Sequence, residues 1–210
     1  MTPESSRTQV SPDRPDAPAT AVGVTPATHH AEVAAVFSAR VDGVADWDAP
    51  TPVPAWRARD VVTHLVTWLP GFLGGGRVTL AAGGPDAADD PVGAWRAHAA
   101  AVQKLLESPD AAHEFSHPQV GSQPLGAAID QFYTVDVFLH TWDLARSSGQ
   151  DDRLDPAFCT VLLEGMEPWD DILRSSGQYG PRVPVADDAP AQDRLIGFIG
   201  RDPAWRPVAP

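Results

Sequence analysis

Cysteine, positive charge and long apolar runs are all scarce in this chain. One cysteine, Cys159, among 210 residues excludes an internal disulfide and fits a reducing compartment, the cytoplasm. Cys159 falls in an apolar helical pattern and reads as a small core residue rather than a nucleophile. Only 15 Lys and Arg stand against 28 Asp and Glu, a formal net charge of −13. Such a surface repels phosphate backbones and anionic headgroups, which argues against nucleic acid and membrane as partners. No apolar stretch approaches the roughly 20 residues of a membrane span. The N-terminus has neither the basic segment nor the apolar core of a secretory signal.

What the chain does hold is 43% hydrophobic residues, enough for one well-buried domain. Residues 1–26 carry Pro3, Pro12, Pro15, Pro18 and Pro26 with almost no large apolar residue, and are expected to be a disordered tail. Residues 27–206 form the expected folded domain. Apolar spacing predicts helices over about Thr28–Val44, Arg57–Leu69, Asp90–Glu107, Gln123–Ser148, Pro156–Leu173 and Ala191–Ile199, which makes an all-α protein. Thr28 is the expected N-cap of the first, with His29 and His30 solvated. Pro70 and Gly71 are expected to stop the second helix, and Pro168 to kink or divide the fifth. The connection from Asp46 to Trp56 should be extended and stiff, and Gly74–Gly76 a linker.

The pattern ending at Ser148 is the longest. At about 100° per residue it puts Ile129, Phe132, Tyr133, Asp136, His140 and Asp143 on one face, with Gln131, Thr134, Thr141 and Ser148 behind. Two carboxylates and an imidazole thus project from the side that should be buried, where an unpaired charge costs several kcal/mol. Asp136 and His140, at i and i+4, lie one above the other and are both ligands for zinc-like ions; a hydrogen-bonded Asp–His pair is the alternative. The second helix carries a third candidate ligand, His64, on an enclosed surface. Three protein ligands leave a fourth zinc position open, the arrangement of a catalytic rather than a structural site. Asp143 either orients an imidazole as part of the catalytic machinery or forms a salt link to an Arg. His98 reads as a core or rim histidine.

His113-Glu114-Phe115-Ser116-His117 spells the H-E-x-x-H signature of zinc proteases. That chemistry needs both imidazoles on one side of a continuous helix. Pro109, Pro118, Gly121 and Pro124 crowd the motif, and Pro118 disfavours a helical His117, so a loop or short hairpin is expected.

Three stretches carry a family resemblance. One is Pro50-Thr51-Pro52-Val53-Pro54-Ala55-Trp56 leading into Arg59-Asp60-Val61-Val62-Thr63-His64-Leu65. Another is His140-Thr141-Trp142-Asp143-Leu144-Ala145-Arg146 with Gly149-Gln150. The third is Asp193-Arg194-Leu195-Ile196 with Gly200-Arg201-Asp202-Pro203. Together they resemble the DinB-like superfamily and, more narrowly, the N-terminal domain of mycothiol-dependent maleylpyruvate isomerase. The resemblance implies a DinB-like four-helix bundle with a short C-terminal appendage. It implies that His64, Asp136 and His140 bind a divalent metal, zinc foremost, with nickel or another ion as alternatives. A low-molecular-weight thiol such as mycothiol would be the cosubstrate, bound as thiolate near Trp68 and Tyr133. A small electrophile would be its target, giving an S-conjugate or an isomerised double bond. A homodimer fits the same picture. A metal-dependent hydrolase and a non-catalytic metal-binding module stay open as alternatives. Two positions depart from the family: Asp136 stands where Glu is usual, and Arg57 where a capping Ser or Thr is common.

Overall fold

The structure, a computed structural model, describes residues 24–81, 83–175 and 177–207. The expected tail lies, up to residue 23, outside the described residues. Thr25 rather than Thr28 caps the first helix, its Oγ1 accepting from the Thr28 N–H at 3.1 Å, so α1 runs Pro26–Asp42. Proline opens the helix, where its missing N–H costs nothing. The earlier start changes the fate of the paired histidines. His30 is fully buried and His29 pairs with Asp130 at 2.7 Å, so neither is the solvated residue expected from sequence.

The second helix, α2, spans Ala58–Gly75 and runs straight through Pro70. Proline removes one helix hydrogen bond, but Leu69 and Leu73 on either side are fully buried. Burial of about 1.5–3 kcal/mol for each such side chain holds the next turn against the core. Gly75 and Gly76 are therefore the end of a helix rather than a linker. A Cβ on Gly76 would stand 2.1 Å from the Phe115 ring, and one on Gly75 2.4 Å from the His117 ring. Glycine here lets a hairpin lie flat on the helix end.

That hairpin is the protease-like motif. Strand β1, Glu114–His117, pairs antiparallel with β2, Gly121–Pro124, as the surrounding prolines led one to expect. Before it comes α3, Pro91–Leu106, capped by Asp90 through Gly93 N–H. After it the chain runs through α4 (Leu125–Ala128), a π-helical segment (Ile129–Thr134) and α5 (Val135–Ser148) in direct succession. The single regular helix expected over this stretch thus starts later and carries a π segment, a feature that often accompanies functional sites.

Helix α1 packs on α3 and α5, and α2 packs on the same two. Phe37, Leu65, Trp95, Tyr133 and Trp142 fill the space between them, all fully buried. Enclosure on several sides buries every residue from 137 to 145. It also buries Thr134 and Thr141, which periodicity had put behind. Beyond Gly149 lie α6 (Pro156–Met166), a 3-10 turn holding Pro168, α7 (Asp170–Ser175) and α8 (Ala191–Phe198). The division at Pro168 is the expected one. Helices α6 and α8 pack on each other.

Candidate metal centre

The proline-rich segment before α2 folds back on itself instead of extending. Thr51 ties it, its Oγ1 donating to Val53 O and Trp56 O at 3.1 and 3.2 Å. Ala55 takes the left-handed conformation, φ 67°, a cost for a residue with a Cβ that the surrounding bonds must offset. The result is that Trp56 lies over the two histidines, stacked on His140 with ring centroids 5.6 Å apart and 5.0 Å from His64. Arg57 cannot accept a capping bond, so α2 starts by another route. Asp60 Oδ2 accepts from the Arg57 N–H at 2.7 Å, half of a capping box.

His64 on α2 and Asp136 and His140 on α5 converge, with one ligand atom from each lying within 4.8 Å of the others. His64 Nε2 is 2.9 Å from Asp136 Oδ2, and His140 Nε2 is 3.5 Å from Asp136 Oδ1. Ligand atoms around a tetrahedral zinc, with bonds of about 2.0–2.1 Å, stand roughly 3.3 Å apart, so these spacings suit an ion. The shorter Asp136 reaches between both imidazoles. Trp68 Nε1 donates to its Oδ2 at 2.9 Å and fixes its orientation.

Behind the three sits a second carboxylate. His140 Nδ1 is 2.9 Å from Asp143 Oδ2, and Asp143 is completely buried. Arg201 donates to both Asp143 oxygens, at 3.2 and 3.4 Å. The two sequence-based readings of Asp143 are thus both present: it holds an imidazole and it pairs with an arginine. Burial pushes its carboxyl up, but Arg201 and His140 outweigh that and hold it below the usual range. An ionised Asp143 accepts a hydrogen bond from His140 Nδ1–H, which orients the ring with Nε2 toward Asp136. Burial pushes the Asp136 carboxyl up, but His140, His64 and Trp68 outweigh that and hold it below the usual range. The 3.5 Å between His140 Nε2 and Asp136 Oδ1 suits a positive charge, either a proton on Nε2 or a metal ion.

The site opens into a cleft of about 1780 Å³ lined in part by Trp56, Trp68, His64, Asp136, His140, Tyr179 and Arg201. Trp68 is on its wall. Tyr133 is not: it is completely buried behind Trp68, ring centroids 5.6 Å apart, and supports that indole from within. Burial and the charge of Asp136 raise its phenol well above the ordinary value. His98 is buried, as expected of a core histidine. Cys159 is buried too, and burial pushes its thiol up to about 12, which removes it as a nucleophile.

Sequence reasoning passed over Trp56, Arg201, Tyr179 and the His29–Asp130 pair as members of the cleft. Trp56 and Arg201 stood within the quoted motifs, but only long-range folding brings them to His140. Tyr179 and the His29–Asp130 pair carried no spacing signal at all.

The sequence model of the mycothiol maleylpyruvate isomerase N-terminal domain matches residues 27–145, more than half of the chain. The chain belongs to this family. As a member of the DinB-like superfamily it carries His64, Asp136, His140 and Asp143 within the matched stretch, while Tyr179 and Arg201 lie beyond it. It is also 30% identical over 159 residues to two uncharacterized proteins of Mycobacterium tuberculosis, from strains CDC 1551 and H37Rv, covering 72% of this chain and 83% of each relative. No solved structure matches it at a significant level. No helix among the described residues is long and apolar enough to cross a membrane.

Proposed function

We propose that residues 27–206 form a DinB-like four-helix bundle of α1, α2, α3 and α5 with a short C-terminal appendage. Its His64, Asp136 and His140 bind one divalent ion, zinc foremost. The protein uses that ion as a cytoplasmic thiol transferase or isomerase, taking a low-molecular-weight thiol of the mycothiol kind and a small electrophile. The observation that carries the metal is the convergence of His64, Asp136 and His140, one ligand atom of each within 4.8 Å of the others. The thiol rests on the family to which the chain belongs.

A divalent ion here would lower the pKa of a coordinated thiol so that it binds as thiolate at neutral pH. The chain's own groups do the rest. Two neutral imidazoles and one carboxylate leave a formal charge of about +1, which favours an anion at the open position. Trp68 N–H fixes Asp136. Asp143, itself held by Arg201, keeps the His140 proton on Nδ1 and acts as a positioning residue. Trp56 covers the imidazoles and Trp68 forms a wall for the thiol, which limits water at the site.

Cobalt replacement tests this. Added mycothiol should produce a sulfur-to-cobalt charge-transfer band near neutral pH, below the ordinary thiol pKa of about 8.5. Bound cobalt without such a band would favour a metal-dependent hydrolase. A protein that takes up no cobalt would reduce the site to a hydrogen-bonded cluster.

A further inference from the structure

We propose that Tyr179 completes the ligand pocket of the metal centre, its phenol O–H donating to the anion held at the open metal position. This rests on the metal reading above and adds a residue from outside the family-matched stretch, residues 27–145.

The first observation is how the Tyr179 backbone is held. Gly180 and Gly200 press together: a Cβ on Gly200 would meet three Gly180 backbone atoms at 2.9 Å. Gly200 also takes a left-handed φ of 86°, so glycine is required there twice over. The Arg174 guanidinium donates to both Gly180 O and Phe198 O, bridging the loop to the end of α8. Val183 N–H donates to Gly197 O at 2.9 Å on the other side of the loop. A loop fixed at this many backbone points presents its side chain in one place, which is what a ligand-binding residue needs.

The second observation is where that place is. Tyr179 lines the same cleft as His64, Asp136, His140 and Arg201, and its ring packs partly buried against the core. Its phenol is near enough to feel the charges of Asp136, Arg201 and Arg174. A phenol ordinarily titrates at about 10, so the hydroxyl carries its proton at neutral pH and meets an anion as a donor. A phenol O–H in the cleft of a centre of formal charge about +1 is a donor for the anion which that charge attracts, and hydrogen bonds to ionised groups are the strong ones.

The test uses the full chain loaded with cobalt and titrated with azide, a small anion that requires no knowledge of the substrate. Azide should change the visible cobalt spectrum of the wild-type protein. Tyr179→Phe keeps the ring and its packing, and should bind cobalt equally but azide about tenfold more weakly. Gly200→Ala, which displaces the loop, should weaken azide similarly and add little on top of Tyr179→Phe. Equal azide affinity, within twofold, in wild type and Tyr179→Phe overturns the assignment, as does wild-type affinity in Gly200→Ala. If the wild type binds no cobalt, or binds it without responding to azide, the metal reading itself has failed.

Discussion

Two pairs of histidines sit against the same helical rod, and they differ in what accompanies them. His64 and His140, ring centroids 5.0 Å apart, enclose Asp136, have Asp143 and Arg201 behind them, and open on the cleft. His30 and His98 flank Tyr133, with centroids 5.7 and 5.6 Å from its ring, and both are sealed in the core. Among the described residues no carboxylate is hydrogen-bonded to either. His30 Nδ1 meets Thr134 Oγ1 at 3.0 Å, and among the described residues His30 Nε2, His98 Nε2 and Tyr133 Oη find no partner. Burial pushes both imidazoles down to about 4, so they are neutral at pH 7. A divalent ion there would carry its full charge into an apolar interior. The difference teaches that burial alone only keeps imidazoles neutral, and a carboxylate between two histidines is what lets a place attract a cation.

Removing a ligand should break the comparison most severely. His64→Ala and His140→Ala are each expected to lose at least about a hundredfold in cobalt affinity while far-UV circular dichroism stays helical. His98→Ala should leave cobalt binding unchanged. Competition against a chelator measures all three. Loss of affinity in His98→Ala to the same degree would show that the two clusters are not distinct.

A smaller effect is expected behind the ligands. Asp143→Asn keeps the shape of the side chain but no longer enforces the Nδ1 proton on His140, and should weaken cobalt binding about 10- to 100-fold. Cobalt affinity equal to wild type would mean that Asp143 serves only its salt link to Arg201.

The sealed pair is best tested by acid. Each imidazole titrates near 6.5 when unfolded and at about 4 when folded. Between those values the unfolded chain binds more protons, so folding stability falls as pH drops from 6.5 to 4 and is fully present above 6.5. The loss is on the order of 2–3 kcal/mol for each histidine. Denaturant unfolding at a series of pH values should show it, and His98→Gln should shrink it. An unchanged pH dependence in His98→Gln would mean that this histidine binds its proton equally in the folded and unfolded chain.

The smallest effect concerns the protease-like motif. His113→Ala with His117→Ala should leave metal content as it is, because the two residues end up on a hairpin, with the His113 side chain 73% exposed. A double variant without metal would contradict that reading.

Much of the site was legible before the fold. The i, i+4 spacing of Asp136 and His140 survives because α5 is regular after the π segment, and the prolines around His113 and His117 announced that no helix could run there. What sequence could not supply came from tertiary contact. Pro70 reads as a stop, but buried Leu69 and Leu73 carry α2 past it. The glycines at the end of α2 read as a linker, but they form the flat surface on which Phe115 and His117 lie. His29 and His30 look like a polar helix start, yet Thr25 caps α1 three residues earlier than expected and turns both inward. Arg201 reaches Asp143 from 58 positions away, a separation that helical periodicity does not address.

The metal content of the purified protein bears most directly on the centre at His64, Asp136 and His140. Elemental analysis should find about one divalent ion per chain, displaced by a chelator, restored by added zinc or cobalt, and absent from His140→Ala. A metal-free protein that takes up neither ion, with nitrogen NMR showing both ring nitrogens of His140 protonated, would contradict the account. An imidazolium would then be the positive charge between Asp136 and Asp143.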